Sequence, residues 1–119
     1  MPSDADNGWV DVAVFDDVRD GSATRVTVDD VAVLLYRAGD TLFAIGNRCT
    51  HQGAPLDKGV VRIAGSQRTV TCPAHGSMYS LDDGSVVRGP AHEPVPACDV
   101  RVEAGTVQLR WREARQTSD

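Results

Sequence analysis

Alternation of apolar and polar residues restricts this sequence to an all-β fold more strongly than any other feature. The alternation has the period of two that places successive side chains on opposite faces of a strand, and no segment has a helical period. Turn residues such as Ala38-Gly39-Asp40 and Ala104-Gly105 separate neighbouring segments. We therefore predict antiparallel strands, the first four forming a meander, over residues 9–15, 24–28, 31–37, 41–45, 99–103 and 106–112.

The stretch from residue 46 to residue 92 differs in composition from the segments on either side of it. It contains most of the glycines and all three histidines, and two short alternating segments, 68–72 and 77–81, interrupt its loops. A chain of 119 residues suits one domain and leaves no room for a second with its own core. We predict a single domain over residues 1–119, with a basal scaffold (8–45 and 93–112) and an inserted module of loops and hairpins (46–92).

Charge and hydropathy exclude several classes of function. The formal net charge is -5, so the chain lacks the excess of cations that a nucleic-acid binder needs, and it favours partners with basic surfaces. Its longest strongly apolar run, residues 31–36, is too short to cross a bilayer. The first seven residues are polar and acidic, unlike a secretory signal, and we expect a cytoplasmic protein.

Two pairs of soft ligands form the strongest local signal in the sequence. Cys49 and His51 are separated by one residue, and Cys72 and His75 by two. Such loops each offer a thiolate and an imidazole, which indicates a metal site. Two of them can clamp a two-iron cluster, with both thiolates on one iron and both imidazoles on the other. A tetrahedral zinc site is the alternative, although zinc modules usually separate the ligands of a pair by two or more residues.

The residues around these four ligands resemble the Rieske iron–sulfur family. The segments CTHQGAPL and CPAHGSMYSLDDG are similar to the family pattern of Cys-x-His followed by Cys-x-x-His in a glycine-rich loop. The resemblance covers nearly the whole chain, and it includes Gly53, Pro55, Leu56, Pro73, Gly76 and the pair Gly89-Pro90 of a proline loop. It implies a Rieske-like antiparallel β-sandwich with an inserted cluster-binding subdomain. It also implies one [2Fe-2S] cluster per chain, with Cys49, His51, Cys72 and His75 as metal ligands.

Four further positions bear on the reduction potential that this resemblance implies. Respiratory members of the family join the two ligand loops by a disulfide, whereas this sequence has Ala54 and Ala74 in those places. High-potential members have a serine that donates to a cluster sulfide and a tyrosine that donates to a ligand thiolate. Ser77 and Tyr79 occupy those positions, and we include both among the cofactor-binding residues. The alternative is that Ser77 stabilises a turn and Tyr79 packs in the core.

The resemblance implies an electron carrier and not an enzyme. A free-standing Rieske ferredoxin takes electrons from an NAD(P)H-dependent flavin reductase and delivers them to a terminal, aromatic ring-hydroxylating oxygenase, and we expect this role for a monomer. The alternative is a Rieske electron-transfer subunit or separated domain of another oxidoreductase, with a higher potential. Cys98 has no partner cysteine and is expected to be a buried, inert thiol, and His92 is expected at the surface.

Overall fold

Ten short strands form three antiparallel sheets in the computed structural model, which describes residues 8–50, 53–74 and 76–112. Two 3₁₀ helices, Phe15–Asp17 and Leu56–Lys58, lie between strands. None of the helices in these ranges is long and apolar enough to span a membrane. The strands are β1 (Val10–Val14), β2 (Ala23–Val28), β3 (Val31–Ala38), β4 (Thr41–Gly46), β5 (Val60–Ala64), β6 (Gln67–Thr71), β7 (Met78–Ser80), β8 (Val86–Arg88), β9 (Cys98–Glu103) and β10 (Thr106–Trp111).

The sheet β2-β3-β4 is covered on both faces and separates two apolar clusters. Successive residues of β3 enter different clusters, since Val33 and Leu35 pack on one side of the sheet and Leu34 on the other. This double burial explains why residues 31–36 form a continuous apolar run. The basal core consists of Val18, Val28, Val33, Leu35, Ala44, Cys98, Val107 and Leu109. The module core consists of Leu34, Phe43, Ile45, Cys49, Leu56, Val70, Cys72, Tyr79, Leu81, Ala91, Val95 and Ala97.

The first strand does not extend the predicted meander. β1 pairs with β10, from the opposite end of the chain, and β10 pairs with β9 to complete the second layer of the sandwich. The predicted strand over 9–15 ends at Val14 because Phe15 begins a 3₁₀ helix, and the Phe15 N–H donates to the Gly105 carbonyl at 2.8 Å. The meander prediction was therefore wrong for this strand, since a contact across the sequence overrides local order.

The sheet β5-β6-β7-β8, called the module sheet below, lies within residues 46–92 and packs its inner side into the module core. β6 and β7 correspond to the two predicted segments, but the sequence analysis missed β5 and β8. β5 was missed because its residues, VVRIA, do not alternate between apolar and polar. It is an edge strand, and its apolar Val60 is 68% exposed. β8 has only three residues, too few for a period to be recognised. The predicted all-β sandwich with an inserted module is otherwise confirmed.

The segment that follows the inserted stretch returns to lie beside the end of β4, where the insertion begins. The Gly46 N–H donates to the Pro96 carbonyl at 2.7 Å, and Ile45 forms an isolated bridge with Ala97. A Cβ atom at Gly46 would lie 3.1 Å from the Pro96 ring, so a larger residue would push the two segments apart. These contacts fix the position at which the chain leaves the scaffold, three residues before Cys49.

Candidate metal centre

The first ligand loop, residues 49–54, begins at Cys49, three residues after the last residue of β4. The Cys49 carbonyl accepts a hydrogen bond from the Gly53 N–H at 2.7 Å, and the Cys49 N–H donates to the Ala54 carbonyl at 2.9 Å. Gly53 has a φ of +77°, a conformation that residues with a Cβ rarely adopt. The loop therefore returns on itself within five residues, with the Cys49 side chain at its base.

The second ligand loop, residues 72–77, repeats the same backbone pattern. The Cys72 carbonyl accepts from the Gly76 N–H at 3.2 Å, and the Cys72 N–H donates to the Ser77 carbonyl at 2.7 Å. Gly76 has a φ of +81°. The hydrogen bonds thus join residues four and five positions apart in both loops. The two turns are equivalent, and each starts at a cysteine that belongs to the module core.

The two cysteines lie together in the module core. Cys49 is 2% exposed and Cys72 is 3% exposed, and neither forms a disulfide. Buried thiols at the bases of two turns provide the soft donors that iron–sulfur clusters and zinc prefer. This donor set fits the cluster that the sequence indicates. The other two predicted ligands, His51 and His75, lie outside the described residues and remain predictions.

Tyr79 reaches from β7 of the module sheet to the first ligand loop. Its side chain is fully buried, and its hydroxyl lies 3.2 Å from Cys49 Sγ. The Thr50 N–H donates to the same hydroxyl at 3.0 Å. Burial raises the pKa of Tyr79, and its hydrogen bond to Cys49 acts in the same direction. The phenol therefore keeps its proton and can donate it.

Thr50 is a second neighbour of the Tyr79 hydroxyl that the sequence analysis missed. Thr50 Oγ1 lies 3.0 Å from the Tyr79 oxygen and donates its own proton to the Glu93 carbonyl at 2.6 Å. Because the Thr50 proton is used in this way, Thr50 Oγ1 and Cys49 Sγ compete as acceptors for the single Tyr79 proton. The only signal in the sequence for the role of Thr50 was its position directly after Cys49. A thiolate is the stronger acceptor, so negative charge on sulfur favours the bond to Cys49.

Ser77, the last residue of the second ligand loop, is fully buried. Its hydroxyl oxygen accepts a hydrogen bond from the Ala91 N–H at 3.0 Å. This contact leaves the hydroxyl proton available for a further acceptor. Ser77 therefore has a structural partner, the Ala91 N–H, independently of the acceptor to which its own hydroxyl donates.

The proline segment, residues 89–93, lies against both ligand loops. Its Gly89-Pro90 peptide bond is cis. Ser77 holds it to the second loop through the Ala91 N–H, and Thr50 holds it to the first loop through the Glu93 carbonyl. Three separate stretches of chain thus enclose the two buried cysteines.

The third cysteine belongs to the other cluster. Cys98 is 1% exposed and packs in the basal core. The sheet β2-β3-β4 separates it from Cys49 and Cys72. Burial raises the pKa of its thiol to about 12, which suppresses the reactive thiolate at neutral pH. The predicted burial of Cys98 and exposure of His92 are confirmed.

Comparisons with known proteins agree with this geometry. The sequence matches the model of the Rieske [2Fe-2S] domain over residues 8–99. It is 31% identical, over 83% of this chain and 90% of the relative, to the 3-phenylpropionate/cinnamic acid dioxygenase ferredoxin subunit of Escherichia coli strain K12. The fold is similar to the ferredoxin of carbazole 1,9a-dioxygenase from Nocardioides aromaticivorans IC177, with a TM-score of 0.79, 32% identity, and coverage of 86% of this chain and 96% of that one.

A third relative has a different description. The fold is also similar to a candidate small subunit of an NADH-dependent nitrite reductase from Mycobacterium tuberculosis, with a TM-score of 0.76 and 31% identity. The alignment covers 89% of this chain and 96% of that one. Nearly full coverage of all three relatives means that the likeness includes the sandwich as well as the inserted module.

Proposed function

Because the chain belongs to the Rieske [2Fe-2S] domain family, we propose that it carries single electrons between redox proteins. It is an electron-transfer component and not the catalytic component of an oxygenase system. The observation that carries this function is the pair of buried cysteines at the bases of two equivalent turns, with the Tyr79 hydroxyl 3.2 Å from Cys49 Sγ. A bound [2Fe-2S] cluster supplies one-electron chemistry at this site.

We assign Cys49 and Cys72 as the ligands of one iron and His51 and His75 as the ligands of the other, with one cluster per chain. The two loops hold the cysteines at fixed positions through their glycine turns. The surrounding module core excludes water from both sulfurs. We also assign donor roles to Tyr79 and Ser77, because hydrogen bonds to the sulfurs of a cluster stabilise its reduced state.

The partners of this carrier follow from its relatives. The relatives from E. coli and N. aromaticivorans are described as ferredoxins of dioxygenases. By analogy, this chain delivers electrons to a terminal, aromatic ring-hydroxylating oxygenase and receives them from an NAD(P)H-dependent flavin reductase. We further propose a cytoplasmic monomer with one domain, divided into a basal scaffold (8–45 and 93–112) and a cluster-binding module (46–92).

A second candidate function is a permanent subunit of another oxidoreductase. The likeness to a candidate nitrite reductase small subunit, at 31% identity, favours it. The two functions differ in how the protein behaves during purification. An affinity-tagged carrier purifies as a single chain, and an added ferredoxin reductase reduces it with NADH. A permanent subunit co-purifies with a larger catalytic chain in a fixed ratio.

Substitution of each cysteine tests the assignment of the ligands. Cys49→Ser and Cys72→Ser are expected to lose the visible absorption of the cluster, because each removes a thiolate ligand. Cys98→Ser is the matched control, since Cys98 is equally buried but lies in the basal core. It should retain the iron content of the parent. Loss of the cluster in all three variants, or in none, would contradict the assignment.

A further inference from the structure

Charge is distributed unevenly along this acidic chain. The whole sequence has a formal net charge of -5. Residues 46–92 nevertheless contain five Lys/Arg and three Asp/Glu, which gives this stretch a formal net charge of +2. The negative charge therefore lies outside the module. A partner that approaches the ligand loops meets a different potential from the one that net charge suggests.

Arg48 covers the outside of the first ligand loop. It is exposed and directly precedes the buried Cys49. A Cβ atom at Gly53 would lie only 3.0 Å from Arg48 Nε and 3.2 Å from its Nη2, so the guanidinium rests against the Gly53 backbone. The glycine is thus required for this contact as well as for its positive φ. Arg48 places a cation at the surface directly above the turn.

Arg88 has the corresponding position on the second ligand loop. It is the exposed last residue of β8, and its Nη2 lies 3.4 Å from the Gly76 carbonyl. Val87, beside it, is 51% exposed. Each ligand loop therefore has one arginine side chain against its own glycine.

Among the described residues, these two cations have no carboxylate partner, unlike several other arginines. Arg68, for example, lies 2.8 Å from Asp82 in a salt bridge. Within the described parts of the chain, no carboxylate lies within salt-bridge distance of Arg48 or Arg88. Glu93 is the one described carboxylate among the residues that line the groove of about 620 Å³ beside Arg48. It offsets one positive charge, so Arg48, Arg88 and Glu93 together have a formal charge of +1.

We propose that Arg48, Gly53, Gly76 and Arg88 form a cationic rim that docks a partner surface carrying carboxylates. The inference rests on the proposed function, because it assumes that electrons leave near the ligand loops. Salt at physiological concentration screens charges over about 8 Å, so charges at the contact outweigh the distant acidic surface once two proteins touch. The rim thus selects an acidic patch on the partner, although the net charge of the chain favours a basic one.

Two small oxidants of opposite charge measure the potential at this rim without an identified partner. Ferricyanide, a trianion, and hexaamminecobalt(III), a trication, each accept one electron from the reduced cluster and become ferrocyanide and hexaamminecobalt(II). The reduced holoprotein is mixed with each oxidant in a stopped-flow instrument at increasing NaCl concentration. We expect the rate with ferricyanide to fall with salt and the rate with hexaamminecobalt(III) to rise, because screening weakens attraction and repulsion alike.

Neutralising the rim should change both rates in opposite directions. Arg48→Gln and Arg88→Gln should each slow the reaction with ferricyanide about three- to tenfold at low ionic strength and accelerate the reaction with hexaamminecobalt(III). Glu93→Gln should do the reverse. Arg62→Gln removes the same charge from the middle of the β5–β6 ladder, where Arg62 pairs with Thr69, and should leave both rates within about twofold of the parent. The potential of each variant is measured to correct for driving force.

The outcomes separate this inference from the function on which it rests. Salt dependences of the opposite sign, or equal effects of Arg48→Gln, Arg88→Gln and Arg62→Gln, would overturn the cationic rim while the electron carrier stands. A protein without a reducible cluster would overturn the proposed function and the rim together.

Discussion

At the scale of single residues, the Tyr79 hydroxyl connects the module sheet to the first ligand loop. The resemblance to a known family suggested Tyr79 and Ser77, but the sequence did not indicate Thr50. The role of Thr50 depends on a hydrogen bond to the Glu93 carbonyl, 43 positions away. No local pattern predicts which distant backbone group will lie beside a given side chain. Contacts of this kind could not be predicted from sequence.

Tyr79→Phe tests whether the hydroxyl tunes the cluster. The bond from Tyr79 to Cys49 strengthens when the cluster gains an electron, so its removal should lower the reduction potential. A difference of about 1 to 1.4 kcal/mol between the two oxidation states corresponds to roughly 40 to 60 mV. Potentiometric titration measures this shift. Tyr36→Phe is the control, because Tyr36 is the other tyrosine and packs against the same core. Equal potentials in parent and Tyr79→Phe would contradict the donor role.

Ser77→Ala should affect stability as well as potential. The substitution leaves the buried Ala91 N–H without its acceptor, which costs about 1 to 3 kcal/mol of unfolding free energy. Ser80→Ala removes a hydroxyl from β7, three residues further along, but the Asp82 N–H that Ser80 binds is exposed and can bind water instead. Chemical denaturation of the two holoproteins gives the comparison. An unchanged midpoint for Ser77→Ala would show that the Ala91 contact contributes nothing.

At the scale of elements, the sequence predicts turns better than it predicts what the turns contact. Ala104-Gly105 was predicted as a turn, and Asp82-Asp83-Gly84 has the same kind of turn residues; both glycines have positive φ values. Yet only Gly84 is packed, since a Cβ there would lie 2.1 Å from the Val95 carbonyl oxygen. Val95 comes from the segment that follows the proline loop. The approach of two distant segments has no signature in the local sequence.

The two turn glycines therefore form a matched pair of substitutions. Gly105→Ala, at a φ of +82° with open space around it, should cost only the backbone strain of about 1 to 2 kcal/mol. Gly84→Ala, at a φ of +79°, should cost that strain and about 1 to 3 kcal/mol more, because the new methyl group displaces Val95. Unfolding free energies of the two variants give the difference. Equal unfolding free energies would mean that Val95 moves away from the new methyl group at no cost in stability.

At the scale of the whole molecule, the alternation of residues predicted an all-β fold, and the composition of residues 46–92 predicted the insertion. The sandwich itself was implied by the resemblance to a known family. The pairing of β1 with β10 was not predicted, because it joins residues nearly 100 positions apart, such as Val10 and Leu109. This pairing also brings together the first and the last of the described strands. Asp99 on β9 accepts hydrogen bonds from Arg110 at 3.0 Å and Arg112 at 3.1 Å, both near the C-terminal end of the last strand.

Because Asp99 is paired with Arg110 and Arg112, the unfolding free energy of the scaffold depends on pH. Burial acts to raise the pKa of Asp99, but the hydrogen bonds from Arg110 and Arg112 outweigh it and lower that pKa in the folded protein. The carboxylate therefore stabilises the fold above its unfolded pKa of about 4, and this contribution is lost as pH falls through the folded pKa. Asp99→Asn should be less stable than the parent at pH 7 and should show a smaller loss of stability between about pH 5 and pH 3.

Thermal unfolding of the holoprotein at a series of pH values measures this effect. Asp16→Asn removes an exposed carboxylate from the first 3₁₀ helix and serves as the control for the change in net charge. If Asp99→Asn and Asp16→Asn had the same dependence on pH, the Arg110 and Arg112 contacts would not be the cause of acid sensitivity.

The iron and sulfide content of the purified protein, combined with a reductive titration, tests the central claim most directly. We predict two irons and two acid-labile sulfides per chain, with visible absorption that bleaches on the uptake of one electron per chain. Two thiolates and two imidazoles could also hold zinc, which binds without sulfide and has no redox chemistry. A colourless protein with one zinc per chain and no labile sulfide would contradict the account.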